Sequence, residues 1–197
     1  MTTSSHELRE SVRRAYSAAA DAPDGRHPFP VGAVFARDLG YPDDLLRALP
    51  DEAVAAFAGV SSVSLQAPLR DGLDVIDLGC GAGLDSLIAA QRVRRRGRVV
   101  GIDFSEGMLD RARRSARRLG LSQVSFVRAS AEQLPFPDSS VDVALVNGIF
   151  NLNPFREEIF RELGRVVRPG GHVSGAELVL SAPLPEHLRS GNDNWFS

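Results

Sequence analysis

The sequence contains no lysine, and all 23 basic residues are arginine. Schiff-base catalysis, the Walker-type phosphate loop and lysine-dependent dehydrogenases all need a lysine ammonium, so those classes are excluded. Cysteine is nearly as scarce. One thiol, Cys80, can neither close an internal disulfide nor build a structural zinc site, which points to a reducing, cytoplasmic compartment. No stretch approaches the roughly 18 consecutive apolar residues of a membrane span. The first residues, Met1 to Tyr16, carry Glu7, Arg9, Glu10, Arg13 and Arg14 where a secretory leader needs an apolar core. An excess of one charge is missing too. With 23 basic and 25 acidic residues the net charge is -2 and the pI about 6.1, which argues against nucleic acid or a membrane surface as the main partner.

What is present suffices for a packed core: 197 residues, 43% of them hydrophobic, the size of one domain or two at most. The first segment, about Glu7 to Ala20, predicts an amphipathic helix with Leu8, Val12, Ala15, Tyr16 and Ala19 on one face. Pro23, Gly25, Pro28 and Pro30 then mark a loop, and short helices are predicted over about Val31–Leu39, Pro42–Leu49 and Asp51–Ala58. Residues 1–60 therefore read as a helical lid and 61–197 as a second unit. In that second unit short β-branched runs alternate with helical stretches. Strands are predicted at Val75–Leu78, Arg98–Ile102, Val124–Arg128, Val141–Val146 and His172–Leu180. Helices are predicted at about Leu84–Val93, Glu106–Leu119 and Pro154–Val167, the last stopped by Pro169, Gly170 and Gly171. This alternation implies right-handed crossovers, hence an α/β fold: a Rossmann-like, doubly wound, mostly parallel sheet with helices on both faces.

The run Val75-Ile76-Asp77-Leu78-Gly79-Cys80-Gly81-Ala82-Gly83 sets a glycine loop between a buried strand and a helix. Such a loop brings backbone N–H groups and a helix terminus to a ligand over the carboxyl end of the sheet, although a plain tight turn needs glycine as well. Leu84 stands where a dinucleotide fingerprint has its third glycine, which disfavours a nicotinamide enzyme. Asp103 ends the second strand, where a carboxylate accepts both hydroxyls of a ribose. Its competing role is a helix N-cap, which Ser105 can fill instead. Phe104 and Met108 beside it are apolar enough to line an adenine, or simply to pack in the core.

These residues carry a resemblance. Asp77 to Gly83, Gly101-Ile102-Asp103-Phe104-Ser105, Ala131-Glu132-Gln133-Leu134-Pro135-Phe136 and Leu163 to Gly171 stand in the order and spacing of the class I S-adenosylmethionine-dependent methyltransferases, over roughly Leu73 to Leu180. The resemblance implies S-adenosylmethionine as cofactor, with Asp77, Gly79, Cys80, Gly81 and Gly83 at its methionine part. Asp103 then takes the ribose, Phe104 and Met108 flank the adenine, and Ser130, Ala131 and Glu132 touch its edge. Ser130 replaces an aspartate that relatives often use for the adenine amino group. Asn147, just after the fourth strand, is counted with the cofactor residues, and Tyr16 is the candidate gate over the methionine end.

The chain most resembles the arsenite methyltransferase-like branch, through Val12 to Ser17, Leu39-Gly40-Tyr41-Pro42, Leu49-Pro50, Ala58-Gly59-Val60 and Asn147 to Leu152. Arsenite needs several thiolates. Gly148 occupies a position where arsenite-methylating relatives carry one, so the resemblance speaks for the scaffold and cofactor and against that metalloid. The implied acceptor is another small molecule, and the alternative is a cofactor-binding protein without turnover. His6, His27, His172 and His187 are the candidate bases. Arg92, Arg94 to Arg96, Arg98, Arg111, Arg113, Arg114, Arg117 and Arg118 read as a solvated basic face, with an RNA-binding role the weaker alternative. Ser181 to Ser197 are too few for the antiparallel strands that end this fold in relatives. The expectation is a bare sheet edge that favours a homodimer.

Overall fold

The computed structural model describes residues 5–23 and 25–179. Five helices come first: α1 (Ser5–Asp21), α2 (Gly32–Asp38), α3 (Asp43–Ala48), α4 (Asp51–Ala55) and α5 (Val63–Gln66). Then follow β1 (Asp74–Leu78), α6 (Leu84–Val93), a 3-10 turn at Arg94–Arg96, β2 (Arg98–Asp103), α7 (Glu106–Leu119), β3 (Val124–Arg128), β4 (Val141–Asn147), α8 (Arg156–Val166) and β5 (Val167–Ala176). The sheet order is β3-β2-β1-β4-β5 with every pair parallel, the predicted doubly wound arrangement.

Central strands of such a sheet are covered on both faces, which is why β1, β2 and β4 read as nearly unbroken apolar runs. On one face Val75, Val99, Val143 and Leu145 pack against Ala89, Ala90 and Val93 of α6 and Val63 of α5. On the other, Ile76, Ile102 and Ala144 pack against Ile159, Leu163 and Val166 of α8. The N-cap of α7 is Ser105, as expected, with the Met108 amide donating to its Oγ at 3.4 Å; at the other end Gly120 turns left-handed with φ 64°.

The helical preamble does not have a core of its own. Ala36, Tyr41, Leu46, Leu49, Val54 and Phe57 share one cluster with Leu84, Leu87 and Ile88 of α6 and Leu109 and Ala112 of α7. Three arginines expected on a solvated face hold it there. Arg92 donates to Ser64 O at 2.5 Å and to Leu65 O at 3.2 Å, Arg111 to Ala20 O at 2.5 Å, and Arg114 pairs with Glu52 at 2.6 Å. A long arginine stem buries its methylenes and still reaches a carbonyl, so helical spacing alone does not distinguish it from a solvated residue.

Two predicted boundaries need correction. The helix expected to run to Ala58 ends at Ala55, which leaves Ala56 to Gly59 free to line a cavity. The fifth strand spans Val167–Ala176, not His172–Leu180. Val167 pairs with Val141, the chain bulges through Pro169, Gly170 and Gly171, and regular pairing resumes at His172 opposite Val143. After Ala176 the strand ends because Glu177 turns back, accepting from the Phe150 amide at 2.6 Å and the Asn151 amide at 3.1 Å. Leu180, Ser181 to Ser197 with Trp195 and Phe196, and the side chains of His6 and His187 lie outside the described residues. Among the described residues no helix is long and apolar enough to cross a membrane.

Candidate active site

The loop after β1 is tied to β2 from below: the Gly79 and Cys80 amides both donate to Ile102 O, at 2.8 and 2.9 Å. Its three glycines do different work. A Cβ on Gly79 (φ 74°) would collide with Ile149, and one on Gly83 would come within 2.9 Å of Ala112 Cβ and 3.2 Å of the Phe126 ring. Those two glycines let the β4 loop and α7 approach. A Cβ on Gly81 would meet nothing within 4 Å, so this position faces open space. Its amide donates to Asp103 Oδ2 at 2.9 Å, while Asp103 Oδ1 accepts from the Ser105 amide at 2.8 Å. Asp103 is thus aimed by backbone on two sides and keeps lone pairs on each oxygen. Burial raises its pKa, against the pull of those amides.

A second pair of acids forms the floor. Asp77 is buried and accepts from Ser86 Oγ at 2.5 Å; burial, with the Asp85 charge next, pushes its pKa up to about 8. Asp85 Oδ1 accepts from Tyr41 Oη at 2.6 Å and from the Ser64 amide at 3.1 Å, and Oδ2 accepts from Asn147 Nδ2 at 2.8 Å. Asn147 Oδ1 takes the Val60 and Ser61 amides at 2.8 and 3.2 Å, and its Nδ2 also donates to Ser61 O at 2.8 Å. Asn147 therefore lines the cavity with its amide already spent on the chain, and its task is to clamp the preamble to β4. Gly59 makes room for it, since a Cβ there would sit 2.5 Å from Asn147 Nδ2. Sequence reasoning passed over Asp85 and Tyr41. The available signal was an acid in an otherwise apolar stretch of α6, which demands a buried partner.

Above this floor lies a cavity of about 710 Å³, open at the carboxyl ends of β1, β2 and β4. The structure brings twelve of the thirteen sequence-predicted residues to its lining, Tyr16, Asp77, Gly79, Cys80, Gly81, Asp103, Phe104, Met108, Ser130, Ala131, Glu132 and Asn147, whereas Gly83 does not line it and packs against Ala112 and Phe126. Tyr16 stacks on Phe29 with centroids 4.5 Å apart, and burial, then the Asp103 and Glu177 charges, raise its pKa well above the ordinary phenol value. Cys80 is buried, its thiol pKa pushed up by burial and then by Asp103 and Asp77, the opposite of a reactive cysteine. Ala53, Phe57, Ile149 and Leu152 add an apolar wall, and Asn153 an amide, that the sequence did not single out. His27 and His172 do not join the lining; His27 Nε2 instead bonds Ala22 O at 2.8 Å.

A parallel sheet of this order, with a glycine loop after the first strand and an acid after the second, defines a class I methyltransferase fold. Residues 69–196 match the model of the methyltransferase domain family, and the chain belongs to that family. It is 34% identical over 156 residues to an arsenite methyltransferase of Halobacterium salinarum, a match covering 79% of this chain and 40% of that protein. A demethylmenaquinone methyltransferase of Listeria welshimeri is 35% identical over 107 residues, 54% of this chain and 45% of that protein. Among solved structures, an arsenic(III) S-adenosylmethionine methyltransferase from Chlamydomonas reinhardtii superposes with a TM-score of 0.62 at 30% identity, covering 82% of this chain and 54% of that one. The chain spans about two fifths of the length of the curated relatives it matches (40 and 45%).

The cofactor implied is S-adenosylmethionine, and the residues present fit it. Gly81 leaves a cradle that a Cβ would fill, and the cavity is of the size used for such ligands. Buried Asp77 and Asp103, both with raised pKa values, suit a ligand that brings positive charge and hydroxyl donors.

Proposed function

We propose that the chain is a cytoplasmic S-adenosylmethionine-dependent methyltransferase for a small-molecule acceptor other than arsenite, with the helical preamble as its lid. The observation that carries this reading is the single cavity in which Asp103, the open Gly81 position and the apolar wall of Ala53, Phe57, Ile149 and Leu152 meet. When bound, S-adenosylmethionine supplies a methyl group on a sulfonium whose sulfur leaves as a neutral thioether. The chain's own residues hold, orient and dry it. Asp103 receives the sugar hydroxyls, and the Gly79–Gly83 backbone lies under the methionine end. Tyr16, stacked on Phe29, covers the methionine end from α1. Alignment in a pocket without competing water supplies most of the acceleration in such a displacement, so no dedicated base is required. Part of the proposal is self-association through the outer edge of β5, read out by light scattering.

The test is incubation with S-adenosylmethionine and a panel of small alcohols, amines, thiols and carbon acids, with S-adenosylhomocysteine quantified. Acceptor-dependent product supports the reading. Tight cofactor binding with no product for any acceptor class would support the alternative of a binding protein without turnover.

A further inference from the structure

The wall that faces the glycine loop is short of free polar groups. Ile149 lies against Gly79, where an added Cβ would collide with its Cγ2, and Phe57, Ala58 and Leu152 line the same cavity. The two side-chain amides on that side are committed to the chain. Asn147 spends both N–H groups on Ser61 O and Asp85 Oδ2, and both lone pairs of its Oδ1 on the Val60 and Ser61 amides. Asn153 donates to Glu132 Oε1 at 2.8 Å and accepts from the Phe155 amide at 2.9 Å. Among the described residues no histidine lines the cavity. Its charged lining is lopsided, with Glu10, Asp77, Asp85, Asp103 and Glu132 against Arg13 and Arg128. Both arginines are exposed, and Arg13 already pairs with Glu10 at 3.7 Å.

A methyl acceptor bearing a carboxylate or phosphate would bury that charge against this wall with no cation to meet it, which is costly. An ammonium has no lone pair to offer until it sheds a proton, and the wall supplies no base. An acidic hydroxyl or thiol differs from both. Its proton leaves to solvent before entry, and the one charge that remains sits on the reacting atom, opposite a sulfonium. We infer that the acceptor is an apolar molecule whose only ionisable group is the nucleophile itself: a phenol, an enol or an aromatic thiol. This rests on the S-adenosylmethionine reading above and names the acceptor class for the same site. The acceptor's oxygen or sulfur pair forms the bond to the methyl carbon, the old carbon–sulfur pair returns to sulfur, and the negative and positive charges cancel. Such charges attract more strongly where water is excluded, and exclusion of water is what Phe57, Ala58, Ile149 and Leu152 provide.

The test is calorimetry on the chain saturated with S-adenosylhomocysteine, titrated at neutral pH with naphthol, naphthoate and naphthylmethylammonium substituted at the same ring position. Only the last two probes are charged there. The naphthol should bind about tenfold tighter or more than either of them. Leu152→Arg brings a cation to the wall from a half-buried position, so naphthoate should gain about tenfold while naphthol gains nothing. Ala58→Arg, also at a half-buried position, makes the same comparison if the Leu152 variant does not fold. A wild-type chain that binds a charged probe as tightly as the naphthol, or binds none of the three, overturns the inference. So does a folded arginine variant that gains nothing for the carboxylate. Failure to bind S-adenosylhomocysteine at all overturns instead the cofactor reading beneath it.

Discussion

Tyr41 and Asp85 stand 44 positions apart in the chain, and their side chains meet at 2.6 Å, hydroxyl on carboxylate, inside the protein. The bond joins the loop after α2 to the first turn of α6. Through Asn147 it also reaches β4, so one carboxylate ties the preamble to two elements of the sheet layer. Burial, then the Asp85 charge, raises the Tyr41 pKa far above the ordinary phenol value, which keeps its proton in place as donor.

Tyr41→Phe retains the ring and its edge contact with Phe57, at a centroid distance of 5.2 Å, and removes only the hydroxyl. One donor is lost from a buried carboxylate, so stability should fall by about 1–3 kcal/mol. Urea denaturation reads the change, and an unaltered midpoint would show that Asp85 is satisfied without Tyr41.

The glycines of the loop should separate folding from binding. Gly79→Ala must push Ile149 away and should lower the melting temperature by several degrees. Gly81→Ala meets no atom within 4 Å, so its destabilisation is limited to the left-handed backbone, about 1–2 kcal/mol, while the methyl intrudes on ligand space. Thermal melts and cofactor calorimetry on the two variants should rank them in opposite orders.

Asp103→Ala should weaken S-adenosylmethionine about ten- to a hundredfold, since hydrogen bonds to a charged acceptor are worth roughly 1.5–3 kcal/mol each. The substitution also frees the Gly81 amide, so circular dichroism should accompany the titration. Wild-type affinity in a folded variant would remove Asp103 from the site.

For Asp77 the pH dependence has a definite sign. Its pKa rises from 3.8 in the unfolded chain to about 8 on folding, so between those values the native state holds a proton that the unfolded state has released. Raising the pH through that interval should therefore destabilise the unliganded protein, whereas Asp77→Asn should flatten the profile. Melting temperatures at pH 5 and pH 8 for both proteins check this, and parallel profiles would contradict it.

Arsenite incubated with the chain, S-adenosylmethionine and a thiol reductant should yield no mono- or dimethylated arsenic by mass spectrometry. The one thiol is buried in the glycine loop, and at Gly148 a Cβ would come within 3.0 Å of Val60 Cγ1, so an added cysteine side chain there must first displace Val60.

The parts of this molecule legible in the sequence are those whose cause is local. The buried run of β1, the glycine spacing behind it and the cap at Ser105 each depend on a handful of neighbours. Asn147 stands out in the sequence as a cofactor candidate just past a strand, but its clamping task does not, because its partners Val60, Ser61 and Asp85 are 62–87 positions away. Arg92 and Arg111 look solvated in the sequence for the same reason, whereas Arg114, exposed beside Glu52, is solvated as expected. The Pro169-Gly170-Gly171 segment shows where local reading misleads: it reads as the stop of the preceding helix, yet that helix ends at Val166 and the segment is a bulge inside β5, because Val167 already pairs with β4 before it. No local pattern announces that first contact.

The clamp at Asn147 also has a consequence in time. The Val60 amide waits for a partner 87 residues further along the chain. At synthesis rates of about 5–20 residues per second, that is on the order of 4–17 s. Throughout that interval the preamble helices are outside the ribosome without the strand they close against, and one wall of the cavity does not exist. Cofactor capture therefore waits for β4 in the life of a nascent chain, and until then the preamble's apolar faces lack the partner they close against.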